Sequence, residues 1–172
     1  LVAAFFPAMQ AEAARETMTP IWQHVEGKEI ERLAQEKLEA LFLAAGETRR
    51  REAVLMTSPR DLRLPAGRIT FTVEAPQGLS YSRGTAIYVS VFLDGKLYRR
   101  IDCYYKLRVY DTVLVAAKTI LPDQVISEAD LRLEEREVTG VNDRCLTEKK
   151  AAVGHVFNRL LKEGSLITQG ML

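Results

Sequence analysis

Side chains able to do acid–base, nucleophilic or metal chemistry are sparse in this chain. Its 172 residues hold two histidines, His24 and His155, and two cysteines, Cys103 and Cys145. A metal centre draws several His, Cys or carboxylate ligands together, often at short, regular spacing. Neither histidine has a second ligand near it at such a spacing, and Gly154-His155-Val156 reads as a surface or strand histidine. Glu134, Glu135 and Glu137 are the densest carboxylate run. Paired carboxylates do glycosidase-type work only when a cleft holds them on either side of a bond, so this run reads as solvated strand or loop charge. There is no glycine-rich phosphate loop, nucleophile elbow or zinc-protease helix in the sequence. The inventory favours binding over turnover: no catalytic residue, no cofactor and no metal is expected.

The cysteines raise a redox question. Cys103 falls in an alternating stretch where Leu97, Ile101, Cys103, Tyr105, Leu107 and Val109 share a face, the setting of a small buried hydrophobe. Cys145 follows about 40 residues later in a polar stretch. In an oxidising compartment an even pair can form one disulfide, and the spacing leaves both the bond and two free thiols open.

The elements that would position these residues follow from periodicity. Lys28 to Ala45 carries Ile30, Leu33, Ala34, Leu38, Leu41, Phe42 and Ala45 at helical spacing, with Gly46 placed to stop the helix. Ala53 to Met56 reads as a short apolar strand, and Ile69 to Ala75 alternates apolar with polar residues. Thr85 to Leu93 and Lys96 to Tyr110 read as long strands joined through Asp94-Gly95, a turn that needs positive φ twice. Pro65-Ala66-Gly67 and Pro76-Gln77-Gly78 mark connections. Tyr98, Tyr104 and Tyr110 fall opposite Ile101 and Leu107. Exposed there, they suit a partner interface, because a tyrosine ring buries a large area while its hydroxyl stays hydrogen-bonded; packing within the fold is the equal alternative.

Composition bounds the rest. With 47% hydrophobic residues, 27% charged residues and a net charge of +1, the chain can bury a core and lacks the basic balance of a nucleic-acid binder. Arg99, Arg100, Lys106 and Arg108 are offset by the acidic run. Leu1 to Met9 is apolar and is followed by Ala11, Ala13 and Ala14, small residues that suit a signal peptidase. Residues 1–14 therefore read as the remnant of an export signal, too short for a membrane span. A periplasmic or otherwise exported protein without stable membrane insertion is expected.

Two segments repeat at an offset of 41 residues: VAAKTILPDQVISEADL (Val115 to Leu131) and VFNRLLKEGSLITQGML (Val156 to Leu172). Each reads as a short strand, a tight turn (Asp123-Gln124 or Gly164-Ser165), a second apolar strand, and then Ser127 or Thr168 as the cap of a helical turn. Segments of this size cannot bury their apolar side chains alone, which predicts that the two pack together across a pseudo-twofold axis. The first strand system runs almost directly into the repeat, so any hinge lies at Tyr110, Asp111 and Thr112. The expected division is an N-terminal α+β domain over 15–111, a helix on a mainly antiparallel sheet, and a second domain over 112–172.

The repeat with its flanks, VLVAAKTILPDQVISEADLRLEEREV and LTEKKAAVGHVFNRLLKEGSLITQGML, resembles the SAF domain, a small β-clip module of antifreeze-like, pilus-assembly and flagellum-assembly proteins. Asp123 stands where that pattern usually has glycine, a mild departure because Asp tolerates positive φ. The order of parts is more specific. An amphipathic helix, LRLPAGRITFTVEAP, then GTAIYVSVFLDGKLYRRIDCYYKLRVYDTVLVAA feeding the repeat, is similar to the flagellar basal-body P-ring formation (FlgA) family over about Ile30 to Leu172. The resemblance implies a periplasmic chaperone of P-ring assembly that acts by transient binding of the flagellar P-ring protein, with no chemistry of its own. Family members continue with further C-terminal strands that this sequence lacks. The alternatives are an SAF-domain component of a pilus assembly system, expected to carry a membrane anchor, and an SAF-like subdomain of a sugar-acid enzyme, expected to carry a catalytic barrel or metal motif.

Overall fold

The structure is a computed structural model that describes residues 21–172; the segment read as an export signal lies outside the described residues. Strand β1 (Trp22–Val25) leads into helix α1 (Gly27–Ala44), one residue earlier at each end than the sequence pattern predicts. Ile30, Ala34, Leu38 and Phe42, spaced by four, form its buried stripe. Each large side chain in such a stripe contributes about 1.5 to 3 kcal/mol by leaving water. Gly46, at φ +66°, ends the helix as expected: its N–H donates to Leu43 O and that of Glu47 to Phe42 O, so two otherwise unpaired carbonyls are satisfied. The other end has no cap from its own Glu26. Instead Asp61 Oδ1 accepts the Gly27 N–H at 2.8 Å from a distant loop.

The helix covers one face of an antiparallel sheet built from β2 (Arg50–Leu55), β4 (Ile69–Glu74), β5 (Thr85–Leu93) and β6 (Lys96–Ala116), in the order β2-β6-β5-β4. β3 (Leu62–Pro65) pairs with β1 as a separate ribbon. Neither ribbon strand stands out in the sequence, because four residues, in one case ending in proline, give too short an alternation. β2 starts three residues before the expected Ala53. Its Arg-Arg-Glu start carries little hydrophobic signal and is held by pairing with Arg108 to Tyr110. The turn at Asp94 (φ 50°) and Gly95 (φ 81°) has the two positive φ values expected of it.

A register shift between Val91 and Phe92 changes the face assignment at the start of β6. Val91 pairs with Arg99 and Phe92 with Leu97, leaving Tyr98 without a partner across the ladder. A bulge re-aims the side chains beside it. Leu97, expected on the buried face, is 59% exposed, whereas Cys103, Tyr105, Leu107 and Val109 are buried as expected.

β6 does not end at Tyr110. It runs for 21 residues and turns its second half to β7 (Leu131–Glu137), with Tyr110 paired to Glu137 and Ala116 to Leu131. Val113 to Ala116 are all buried, since this stretch is covered on both faces. Beyond it, Leu114, Ile120, Ile126, Phe157, Leu161 and Ile167 form a second core. Its backbone is tied by short antiparallel bridges, Val115 to Leu166, Ile120 to Leu161 and Val125 to Val156. Asp123 (φ 61°) and Gly164 (φ 78°) both occupy the left-handed region. Ser127 opens a 3-10 turn over Glu128–Asp130, and the buried Asp130 carboxylate reaches back to accept the Ser127 N–H and hydroxyl at 2.8 and 2.7 Å. Lys118 pairs with the same carboxylate at 2.7 Å and is the main reason its pKa falls to about 2, with the Ser127 hydrogen bonds second. Thr168 precedes a similar turn over Gln169–Met171 without a side-chain capping bond.

A third, smaller cluster of Val109, Val113, Val115 and Val138 sits between the two cores, and Tyr81 packs against both it and the N-terminal core.

Candidate partner-binding surface

The residues with chemical potential are dispersed or already engaged. His24 is exposed on β1 opposite Arg63, and His155 is exposed in the loop before Val156, where its carbonyl accepts the Ile126 N–H. No group of three or more His, Cys, Asp or Glu able to hold a metal ion occurs among the described residues. The acidic run lies on β7 and is neutralised by arginines: Glu134 contacts Arg132 at 3.3 Å and Arg136 at 3.2 Å, and Glu135 contacts Arg50 at 2.6 Å. Glu137 accepts from the Thr139 hydroxyl at 3.1 Å.

Both cysteines carry free thiols. Cys103 belongs to the core beneath α1, where burial pushes its pKa up to about 11. Cys145 packs on the middle cluster and is raised in the same direction, again mainly by burial. A thiol held protonated by burial is a poor nucleophile.

The three tyrosines do not make one continuous face. Tyr98 sits at the bulge and donates its hydroxyl to Arg63 O at 3.2 Å, tying β6 to the small ribbon. Tyr104 is 44% exposed and leans over Gly84, where an added Cβ would come within 2.8 Å of the ring. Tyr110 is half-buried under the Arg50 guanidinium, 3.8 Å from the ring centroid, and its hydroxyl donates to Glu52 Oε2 at 3.1 Å. With the Arg50–Glu135 contact this braces β2 and β7 across β6 at the very place the sequence marks as a hinge. Of the three, Tyr104 is the one whose ring is most open to a partner.

Alternation alone does not single out a second exposed patch. Leu121, Val125, Val156 and Leu160 project from the paired loops of the C-terminal half, on strands whose inward neighbours Ile120, Ile126, Phe157 and Leu161 fill the core. The signal available in the sequence is the Leu-Leu pair at Leu160 and Leu161, of which only one can face inward on an extended strand.

Between the two halves lies a polar cleft of about 440 Å³, lined in part by Arg49, Asp111, Asp143, Arg144 and Cys145. Arg49 belongs to a partly buried polar knot beside it. The Glu47 carboxylate accepts from Arg49 Nε at 2.8 Å and Nη2 at 2.7 Å and from the Tyr81 hydroxyl at 2.7 Å. Arg49, above all, holds Glu47 down at about 2, while burial and then Glu47 push Tyr81 up to about 12. No described helix is long and apolar enough to cross a membrane.

A family model for chaperones for flagella basal body P-ring formation matches residues 111–172, from the last six residues of β6 through the C-terminal core. That segment is similar to this family over its whole matched length. A comparison with curated proteins gives no match. Among solved structures, the crystal structure of flagellar protein FlgA from Thermotoga maritima aligns at a TM-score of 0.52 and 22% identity, covering 80% of this chain and 50% of that one. The chain thus spans about half the length of that relative and shares its fold. The closed and open forms of Salmonella FlgA align at TM-scores of 0.45 and 0.44, with 13% and 14% identity, 81% of this chain covered in each case, and 67% and 62% of theirs.

Proposed function

We propose that this protein is a periplasmic chaperone that promotes flagellar P-ring assembly by transient binding of the ring protein, without turning over any substrate. The observation that carries this reading is the family match over residues 111–172, the part of the chain with its own core and its own exposed aliphatic patch. In this reading residues 15–111 form the N-terminal α+β domain and 112–172 an SAF-type β-clip built from two similar halves. The bridge pattern supports the two-fold relation. A shift of 41 residues carries the Val115–Leu166 bridge onto Val156–Val125 and the Ile120–Leu161 bridge onto itself. Positive φ at both Asp123 and Gly164 agrees with the same relation.

Deleting the gene in its host is expected to abolish swimming by blocking P-ring formation while the ring protein is still made and exported. Normal P rings in the deletion strain would overturn the function; steady formation of a sugar-acid product by the purified chain would instead make it an enzyme. Partner contact is assigned to the sheet face that carries Tyr104, with Tyr98 at its rim. The double variant Tyr98→Ala, Tyr104→Ala is expected to weaken ring-protein binding by about 30-fold, since interface aromatics are worth about 2 kcal/mol or more. Losing the Tyr98–Arg63 hydrogen bond should cost only about 1 kcal/mol of stability. Titration calorimetry beside urea denaturation separates the two quantities, and unchanged binding with lowered stability would make the tyrosines structural.

A further inference from the structure

The ridge Glu31, Gln35 and Glu39 on α1 runs beside the free edge of β2, and between them lies a cleft of about 270 Å³ floored by Leu38, Ala53 and Leu55. Tyr105 also lines this cleft. It is only 4% exposed, and its hydroxyl is buried with no hydrogen-bond partner among the described residues. A buried phenol without a partner forgoes hydrogen bonds that it makes in water, and native proteins rarely leave one so. Glu31 lies near enough to help raise its pKa, after burial and Cys103. Glu39 is already held by Arg51 at 2.7 Å, whereas Glu31 has no ion-pair partner among the described residues.

Among the described residues, no strand pairs with the β2 edge beside this cleft. β2 is the last strand of its sheet, and the Met56 N–H donates to Tyr104 O at 2.9 Å. In an antiparallel ladder bonding alternates, so the backbone N–H and C=O groups of Ala53 and Leu55 point away from β6. Natural edges are usually blunted by charge, proline or a covering element, yet Ala53-Val54-Leu55 carries no charge or proline and is covered by no further strand among the described residues. On the opposite face of this edge, Val54 and Met56 are 51% and 56% exposed.

We infer that the β2 edge accepts an extended segment of a partner protein in which a lysine or arginine alternates with apolar residues. The segment's backbone bonds to Ala53 and Leu55 as an added strand. Its basic side chain turns toward α1, where the Tyr105 oxygen and the Glu31 carboxylate receive it over the apolar floor. Its apolar neighbours turn the other way and cover Val54 and Met56, as strand alternation requires. The inference deepens the proposed function by naming a surface and a ligand class, and rests on it only for the partner's identity.

The test is a nitrogen-15 NMR titration of the whole chain with an acetylated, amidated Thr-Val-Lys-Val-Thr peptide and with the same peptide carrying norleucine for lysine. The lysine peptide is expected to bind about tenfold tighter, with downfield shifts of the Ala53 and Leu55 amide protons. Glu31→Gln and Tyr105→Phe should each remove most of that preference. Tyr105→Phe should leave the melting temperature unchanged or raised, because it deletes an unpaired hydroxyl. Ala53→Pro should lose both peptides while keeping the fold, since its N–H faces away from β6. Equal binding of the two peptides, no binding by either, or a lysine preference that survives both Glu31→Gln and Tyr105→Phe would overturn the site. Any of these would leave the P-ring function standing, and normal P rings in a deletion strain would sink that function without touching the peptide result.

Discussion

Gly27→Ala should lower the unfolding free energy by about 3 kcal/mol, although the substitution is at a helical position. Propensity alone favours alanine over glycine in a helix by about 1 kcal/mol. Packing opposes it more strongly: a Cβ at Gly27 would overlap the Pro59 carbonyl oxygen and lie 2.9 Å from its carbon and 3.1 Å from Arg60 C, all backbone atoms. The Pro59–Asp61 loop would have to move. That motion also pulls Asp61 Oδ1 from the Gly27 N–H, which no side chain of Glu26 replaces. Forced overpacking of this kind costs about 1 to 3 kcal/mol, and loss of a cap about 1 more. Urea denaturation should show a lower midpoint at an unchanged slope. Lys28→Ala, at the exposed next position, should be neutral or slightly stabilising; equal stability of Gly27→Ala and wild type would mean that the loop gives way freely.

Glu47→Ala should cost about 2 kcal/mol and remove a large part of the acid-side dependence of stability, which it shares with Asp130. The Glu47 side chain is 6% exposed and takes hydrogen bonds from Arg49 and Tyr81. Breaking a fully buried ion pair costs about 3 to 5 kcal/mol, and the 38% exposure of Arg49 discounts that figure because water can take over part of its role. The sign of the pH effect follows from the pKa. Glu47 falls from 4.5 unfolded to about 2 folded, so its contribution is full above about pH 4.5 and is lost as pH drops through about 2. Tyr81 rises from 10 to about 12, so its contribution is full below about pH 10 and is lost as pH climbs through about 12. Wild type should therefore show a stability plateau between these limits, with Glu47→Ala flatter on the acid side and Tyr81→Phe flatter on the alkaline side. Identical acid limbs in wild type and Glu47→Ala would place the titrating group elsewhere, with Asp130, at about 2, the next carboxylate to test by Asp130→Asn.

Local signals carried those features whose energetics are local. The spacing of Ile30, Ala34, Leu38 and Phe42 specifies a helix with one apolar stripe, and Gly46 specifies where it stops, because both depend on residues within two turns of each other. Asp94-Gly95 encodes its hairpin through the φ values only such residues adopt cheaply. The likeness of the C-terminal segment to the P-ring chaperone model was legible for a related reason: turn residues and apolar positions recur at a constant offset, and a recurring local geometry leaves a recurring sequence.

What the tertiary structure alone decided rests on pairing across long sequence distances. Alternation over Lys96 to Val109 could not reveal that Tyr98 is an unpaired bulge residue, since a bulge is a relation between two strands and both strands keep their own period. It could not tell that β6 continues past Tyr110, because a strand changing partners from β2 and β5 to β7 shows no break in its own hydrophobicity. The Glu47–Arg49–Tyr81 knot joins residues 34 positions apart, and the cleft at Tyr105 joins α1 to an edge strand. Neither is visible until the chain is closed on itself, for burial and an unpaired hydroxyl are properties of the packed molecule and of no segment within it.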